Sequence, residues 1–389
     1  MRVCFISHSA GRYGAELALL ELIQGLVKLG IVCMVLVPKE GPLLAELDRL
    51  NVEWRVVPYP KWISRRIWTP YRIARSIVRT LLVLIIALRI AQIIKKSHCD
   101  VVYTNTTMVA VGAIAAQLAR KPHIWHFHES VYHNPDQKFD LGERLATYLM
   151  DRLSKMIVVV SRSVQEDYKR YLSLERMRVI YQSVSLPKEI ESPNNSFAGS
   201  LFFQCVIVGS LNSWKGHDEA ISALAELEHR GINAHLLIVG DGAKRVRLKL
   251  DQQIIVHGLQ QRVKFYGYAE NPTPLIRAAD VVLICSRWEA FGRVAVETML
   301  AGKALIGSAR GATSELIQHG ETGLLYEWGN CIDLADKIQY LYENPHERAR
   351  LGLTAQVWAE NRFTQERYAQ EVASLLSEVV TKTNRVLQS

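Results

Sequence analysis

Short, nearly continuous apolar runs punctuate the chain, and between them lie segments whose apolar positions recur at helical spacing. VCFIS, VCMVLV, DVVYTN, PHIWHFH and MIVVVS form one series; QCVIVGS, AHLLIVGD, VKFYGY, DVVLICS and ALIGS form another. A strand that is apolar at every position is covered on both faces, and strands separated by helices run parallel. Each series therefore predicts a parallel sheet flanked by helices, an α/β fold. The first intervening helix is predicted from about Ala15 to Leu29.

The segment SLPKEIESPNNSFAGS, Ser185 to Ser200, interrupts the alternation with Pro, Ser, Asn and charge, the composition of a domain junction. The two sides open alike, VCFISHSAGRYG and CVIVGSLNSWKG, each a buried strand, a glycine-containing loop and a helix start. The expected organisation is a Rossmann-like domain over 1–186, a linker over 187–200, a second Rossmann-like domain over 201–370, and a closing helix over 371–389 that crosses back to the first. Ligands of such sheets bind beyond the carboxyl ends of the strands, so the expected site is a cleft across which the domains face each other.

Composition fits two folded domains: 389 residues, 49% hydrophobic and 22% charged. The six cysteines, Cys4, Cys33, Cys99, Cys205, Cys285 and Cys331, show no paired or zinc-like spacing and read as buried thiols of a reducing compartment. The opening MRVCFISHS enters a strand at once without a signal-peptide pattern, which leads to an expectation of cytoplasmic residence. The net charge of +9 is local. Lys61, Arg65, Arg66, Arg72, Arg75, Arg79, Arg89, Lys95 and Lys96 include no acidic residue among them; without these nine, the 47 Lys and Arg fall to 38, equal to the 38 Asp and Glu. One basic segment points to a particular anionic partner.

The chemistry concentrates in SRWEAFGRVAVETMLAGKALIG, Ser286 to Gly307. It follows a strand, so Arg287 to Phe291 form a loop at the strand's carboxyl end, a helix starts near Gly292, and Glu297 falls within its first two turns. A carboxylate there accepts hydrogen bonds from vicinal hydroxyls, while the adjacent helix N-terminus favours a phosphate. Glu289 and Glu297 together suit a nucleotide.

This stretch resembles the donor-binding signature of the retaining glycosyltransferases of family 4, in which a second Glu follows the first by eight residues after a Phe-Gly pair. The likeness continues in GATSELIQHGETGLLY, GSLNSWKG and LLIVGDG, and more weakly into the first half. It implies a GT-B fold and transfer of a hexose from a nucleotide diphosphate sugar to an acceptor hydroxyl with retention. Glu297 would then bind ribose hydroxyls and Glu289 the donor sugar, with backbone amides around Phe291 and Gly292 on the phosphates. Lys215 would be the cation on the leaving diphosphate, where charge builds as the glycosidic bond breaks.

In the first half, IWHFHES puts His126 and His128 on one strand face. The resemblance favours His128, beside Glu129, as the residue reaching the donor sugar or acceptor hydroxyl. SAGRYGAE, Ser9 to Glu16, resembles the family's glycine loop, with Gly14 near the transferred sugar. VYHNPDQKFD, Val131 to Asp140, reads as a turn-rich flap. Three positions depart from the family: Ser210 where an arginine pairs with the lysine, Tyr13 where a second glycine is common, and YQSV, Tyr181 to Val184, in place of Asn-Gly. Arg293 is the candidate to replace the missing cation. A DxD motif is absent, so the expectation is a metal-independent enzyme with no cofactor.

The basic segment does not span a membrane: its longest uncharged stretch, Thr80 to Leu88, is far short of the roughly 20 residues required. As a helix it sets Arg72, Arg75 and Arg79 on one face and an apolar stripe of Ile73, Ile77, Leu81, Leu84 and Leu88 on another. Leu81 to Ile94 reads as a buried helix of the first sheet. Trp62, Arg65, Arg66, Trp68, Arg72, Arg75 and Arg79 read as facing an anionic bilayer, because aromatics interleave with cations. No nucleic-acid module is recognisable.

The expected protein is therefore a two-domain transferase, peripheral on the inner membrane face, acting on a glycan or lipid-linked glycan acceptor in polysaccharide or lipopolysaccharide synthesis. A non-catalytic nucleotide-binding scaffold and a sugar-nucleotide epimerase are the alternatives.

Overall fold

The structure is a computed structural model that describes residues 1–65, 70–133, 137–187 and 202–388, with the backbone alone described for 65, 70–77, 137 and 384–388. The chain divides into two compact units, 1–183 with 364–389, and 184–363. The segment drawn as a linker, 187–200, falls outside the described residues from 188 onward. The chain returns to the first unit at Thr364, between two helices, where the sequence placed the return at 371.

The first unit contains strands β1 (Arg2–Ile6), β2 (Val32–Val37), β3 (Glu53–Val56), β4 (Ile63–Arg65), β5 (Val101–Thr104), β6 (His123–Phe127), β7 (Gln137–Phe139), β8 (Met156–Val159) and β9 (Met177–Val179). Its helices are α1 (Gly14–Lys28), α2 (Leu43–Arg49), α3 (Pro70–Lys96), α4 (Val111–Ala119), α5 (Glu143–Leu153) and α6 (Arg162–Tyr168). Seven strands form a parallel sheet in the order β3-β2-β1-β5-β6-β8-β9. In β1, Val3 and Phe5 pack into one core with α1, whereas Cys4 and Ile6 pack into another with α3 and α4. That alternation explains why the strand is apolar at every position.

The second unit contains β10 (Phe203–Val208), β11 (Ala234–Val239), β12 (Val263–Gly267), β13 (Val281–Ile284), β14 (Leu305–Ser308) and β15 (Leu324–Tyr326). They form a parallel sheet in the order β12-β11-β10-β13-β14-β15. Its helices are α7 (His217–His229), α8 (Lys244–Val256), α9 (Thr273–Ala278), α10 (Arg293–Leu300), α11 (Thr313–Leu316), α12 (Cys331–Glu343) and α13 (Pro345–Arg362). The last helix, α14 (Gln365–Gln388), belongs to the first unit, where Tyr368, Val372, Leu375 and Leu376 join the α1 core. A Cβ on Gly25 of α1 would lie 2.5 Å from Ala369 Cβ, so the glycine permits this close approach. Five cysteines are buried free thiols; Cys331, opening α12, is only half-buried.

Two expectations for the basic segment are corrected. Helix α3 buries Val83, Ala87, Ile90, Ala91 and Ile94 and leaves Leu81, Leu82, Leu84, Ile85 and Leu88 exposed, so the described part of the apolar stripe marked in the sequence, Leu81, Leu84 and Leu88, faces away from the sheet. The helix is apolar on both sides here, and the periodicity found the wrong one. Trp62, expected at a bilayer, is 6% exposed. Its indole Nε1 donates to Thr107 O at 2.6 Å, and its ring stacks on Trp125 and meets Phe139 edge-on. Arg79 is ion-paired with Asp140 at 2.6 Å. The side chains of Arg65, Arg66, Trp68, Arg72 and Arg75 lie outside the described set. No helix among the described residues is long and apolar enough to cross a membrane.

The expected flap is also partly regular: β7 pairs antiparallel with β4, with Ile63 opposite Phe139. Two three-residue strands far apart in sequence carry too little pattern to be read alone.

Candidate functional site

In the second unit the site grows from the carboxyl ends of β10 and β13. Lys215 ends the loop after β10, and its side chain runs over Gly209, whose Cβ would sit 3.3 Å from Lys215 Cδ. The next residue, Gly216, has φ +69, and a Cβ there would lie 2.0 Å from Cys285 O. The loop after β10 is thus locked against the end of β13, and only glycine fits between them. Lys215 Nζ lies 2.5 Å from Glu289 Oε1, with both side chains mostly buried. Ser286 Oγ donates to the same oxygen at 2.5 Å.

Glu289 is held at its backbone as well. Gly311 has φ +57 and sits so close that a Cβ would meet Glu289 N and O at 2.8 and 2.7 Å, and Ala312 N donates to Glu289 O at 2.9 Å. The GATSE stretch is therefore a backbone brace for Glu289. Ser308 Oγ donates to Ser286 O at 2.6 Å and fixes the serine beside it. Gly292, in the left-handed region at φ +89, caps α10, which puts Arg293 at its first position and Glu297 one turn later. Arg293 Nε stands 3.8 Å from Glu297 Oε1, both side chains largely buried. Phe291 is 3% exposed and packs edge-on against Phe363, anchoring the loop while its backbone stays at the helix entry. Ser210 Oγ accepts from Asn212 Nδ2 at 2.9 Å.

The first unit presents a different chemistry at the ends of β1, β5 and β6. His126 is buried, with Nδ1 2.9 Å from Tyr103 OH, and its ring centroid is 4.0 Å from that of His128. His128 Nε2 lies 2.9 Å from Asn105 Oδ1, while Asn105 Nδ2 donates to Ala15 O at 3.0 Å. Because the amide nitrogen is used as a donor, Oδ1 is the acceptor and Nε2 of His128 carries a proton. Gly14, the first residue of α1, is thus one residue from the carbonyl that orients Asn105. Tyr13 is 71% exposed, and its carbonyl accepts from Leu17 N.

Glu129 Oε1 accepts from Thr106 Oγ1, Thr107 N and Thr107 Oγ1 at 2.6 to 2.8 Å. Burial nevertheless pushes its carboxyl above the ordinary range. Glu16, 1% exposed, is raised likewise by burial, with His8 Nε2 3.5 Å away. Burial, then the nearby Lys61 ammonium, holds His8 down at about 4; burial and His128 hold His126 well below its usual value.

The structure brings Lys215 and Glu289 together, and Arg293 and Glu297 together, in the second unit; in the first, Asn105 links His128 to Ala15, the neighbour of Gly14. Ser286, Asn105, Thr106 and Thr107 were not singled out in the sequence. A signal existed in each case: a hydroxyl or amide immediately after an apolar strand, in LICS and VVYTNTT.

Two family models match. Glycosyl transferases group 1 covers residues 194–358, and Glycosyltransferase Family 4 covers 13–187. Relatives include the N-acetyl-alpha-D-glucosaminyl L-malate synthase of Bacillus anthracis, 32% identical over 41% of this chain and 42% of that protein. The lipopolysaccharide core biosynthesis glycosyltransferase LpsD of Rhizobium meliloti is 31% identical over 46% of this chain and 51% of its own. The chain thus spans about half the length of the curated relatives it matches. Among solved structures, Anabaena HepE in complex with UDP-glucose aligns over 97% of this chain and 100% of its own, with a TM-score of 0.80 and 27% identity. With parallel-sheet Rossmann-like domains in both halves and a group 1 match on the second and a family 4 match on the first, the chain belongs to the family 4 glycosyltransferases of GT-B fold.

Proposed function

We propose that the protein transfers a hexose, with retention, from a nucleotide diphosphate sugar to a hydroxyl of a lipid-linked glycan acceptor in surface polysaccharide or glycolipid synthesis. The observation that carries this reading is the 2.5 Å approach of Lys215 Nζ to Glu289 Oε1, beside the start of α10, with Arg293 and Glu297 on that helix. A cation, a helix N-terminus and two carboxylates suit a ligand with a diphosphate and vicinal hydroxyls. The UDP-glucose complex of Anabaena HepE and the lipopolysaccharide role in the name of LpsD support a nucleotide-sugar donor and a glycolipid product.

Lys215 then neutralises charge that builds on the leaving phosphate, an interaction stronger in the transition state than in the ground state. Glu289, braced by Ser286 and Gly311, is stiff enough to orient donor-sugar hydroxyls, and Glu297 takes the ribose. Arg293 supplies positive charge where Ser210 has none. His128, held by its Nε2–H on Asn105 Oδ1, addresses the transferred sugar or the acceptor hydroxyl. Transfer needs no metal in this scheme, because the lysine and helix dipole meet the phosphate charge. The protein works at the inner membrane face.

A non-catalytic nucleotide-binding scaffold is the second reading, favoured by the uncharged Ser210. Purified protein incubated with a panel of nucleotide sugars and membrane lipid extract separates the readings. Sugar appearing on lipid, unaffected by EDTA, supports the transferase; an interconverted donor marks an epimerase; binding without turnover marks the scaffold.

A further inference from the structure

The first unit holds an apolar pocket of about 280 Å³ that none of the chemistry above uses. Val83 and Leu84 of α3, Ile114 of α4, and Leu149 and Leu153 of α5 line it, and Trp62 closes one side. It is nearly twice the size of the roughly 150 Å³ apolar cavity that stays dry and takes benzene in an engineered protein. Unlike a packing defect, it has charge on its wall: Lys61, Arg79 and Asp140. Asp140 is matched by Arg79 at 2.6 Å, while Lys61 is exposed with its Nζ 3.6 Å from Met108 Sδ.

The pocket is tied to the polar strand ends through one residue. Trp62 Nε1 donates to Thr107 O, and Thr107 N and Oγ1 donate to Glu129, the neighbour of His128. Lys61, adjacent to Trp62, acts electrostatically on both His8 and Glu129. An apolar hollow, a cation at its wall and a hydroxyl-binding cluster therefore follow one another over a few residues. Outside the pocket the apolar surface continues: Leu81, Ile85 and Leu88 of α3 and Leu145 and Tyr148 of α5 are all at least 48% exposed.

We infer that this pocket takes the start of the hydrocarbon chain of the acceptor's lipid anchor, with Lys61 on the anchor's phosphate. The ligand class is a single-chain amphiphile: hydrocarbon, phosphate, then sugar. Charge complementarity selects it, since Arg79 and Asp140 on the pocket wall match each other and Lys61 beside them supplies a net positive charge. The inference deepens the proposed function and rests on its lipid-linked acceptor. It replaces the expected docking of Trp62 onto a bilayer with an indole that walls a chain-binding pocket.

Dodecyl phosphate is the probe, titrated by calorimetry into the full-length protein below its micelle-forming concentration. One saturable site is expected, not competed by inorganic phosphate. Leu149→Trp fills the pocket and weakens binding at least about tenfold, equivalent to 1.4 kcal/mol; Lys61→Met weakens it several-fold. Leu84→Glu, at an exposed position, gives the same loss should Leu149→Trp fail to fold, as judged by circular dichroism.

Unchanged binding in folded Leu149→Trp and Leu84→Glu proteins would overturn the inference. So would a Leu149→Trp protein that loses phosphatidylglycerol vesicles as completely as it loses the probe, because the pocket would then serve bulk lipid. No nucleotide sugar enters this readout. Probe binding without any sugar transfer leaves the pocket standing and removes the activity, and transfer without probe binding does the reverse.

Discussion

The two units present opposite electrostatic solutions at their strand ends. In the second, charges stand in pairs: Lys215 with Glu289, on loops locked by glycines at Gly216 and Gly311, and Arg293 with Glu297 on the first turns of α10. In the first, burial pushes His126 and Glu129 toward their neutral forms, against the three hydroxyl and amide donors on Glu129, and His128 is tied to Asn105. Fixed cations suit a diphosphate and ionised carboxylates suit vicinal hydroxyls, whereas neutral donors and acceptors suit single hydroxyls that bring no charge of their own. One chain thus builds two kinds of site from the same sheet architecture.

Removing charge from the second unit breaks the comparison most severely. Lys215→Ala should lower kcat/KM by about 10² to 10³ in a transfer assay, roughly 2.7 to 4 kcal/mol of barrier. A loss under threefold would mean that the ammonium is structural only.

Acid should act more strongly on the first unit. His8, His123 and His126 lie there, against His217 and the half-buried His235 in the second, and burial lowers the pKa of all five. A histidine lowered in the folded state binds its proton mainly after unfolding, so stability is present above pH 6.5 and declines as pH falls toward about 4. The slope is about 1.4 kcal/mol per pH unit for each histidine that titrates fully on unfolding. Glu16 and Glu129, raised in the folded state, act in the opposite sense and offset part of it. Hydrogen exchange at pH 7 and pH 5 reads the units separately; equal loss of protection in both would contradict the expectation.

The smallest effect sharpens the contrast. Glu129→Gln keeps an acceptor oxygen for Thr106 and Thr107 and removes a charge that burial already disfavours, so stability should change by less than about 1 kcal/mol in urea denaturation. A larger loss would show that the carboxylate works ionised.

The difference between the units also explains what the sequence disclosed. The second site is nearly contiguous: Glu289, Gly292, Arg293 and Glu297 fall within one strand-loop-helix corner, where the family resemblance in a single stretch marks them together. The approach of Lys215 to Glu289, the brace from Gly311 and the serine at 286 needed coordinates. The first site is gathered from Ala15, Asn105, His128 and Glu129, on separate strand ends, and no local spacing relates them. Apolar runs located the parallel strands because double burial makes them continuous. They missed β3, β4, β7, β9 and β15, strands of three or four residues, too short or too mixed to stand out. The basic segment misled for another reason. Aromatic residues beside arginines suggest an interface, yet Trp62 found Thr107, Trp125 and Phe139, contacts that only tertiary structure supplies.

The most direct test of the central claim is calorimetric titration of UDP and GDP into the wild-type protein and into Lys215→Ala and Glu297→Gln. Saturable binding of at least one nucleotide, weakened about tenfold or more by each substitution, is the predicted result. Binding of neither nucleotide, or equal affinity in all three proteins, would contradict it.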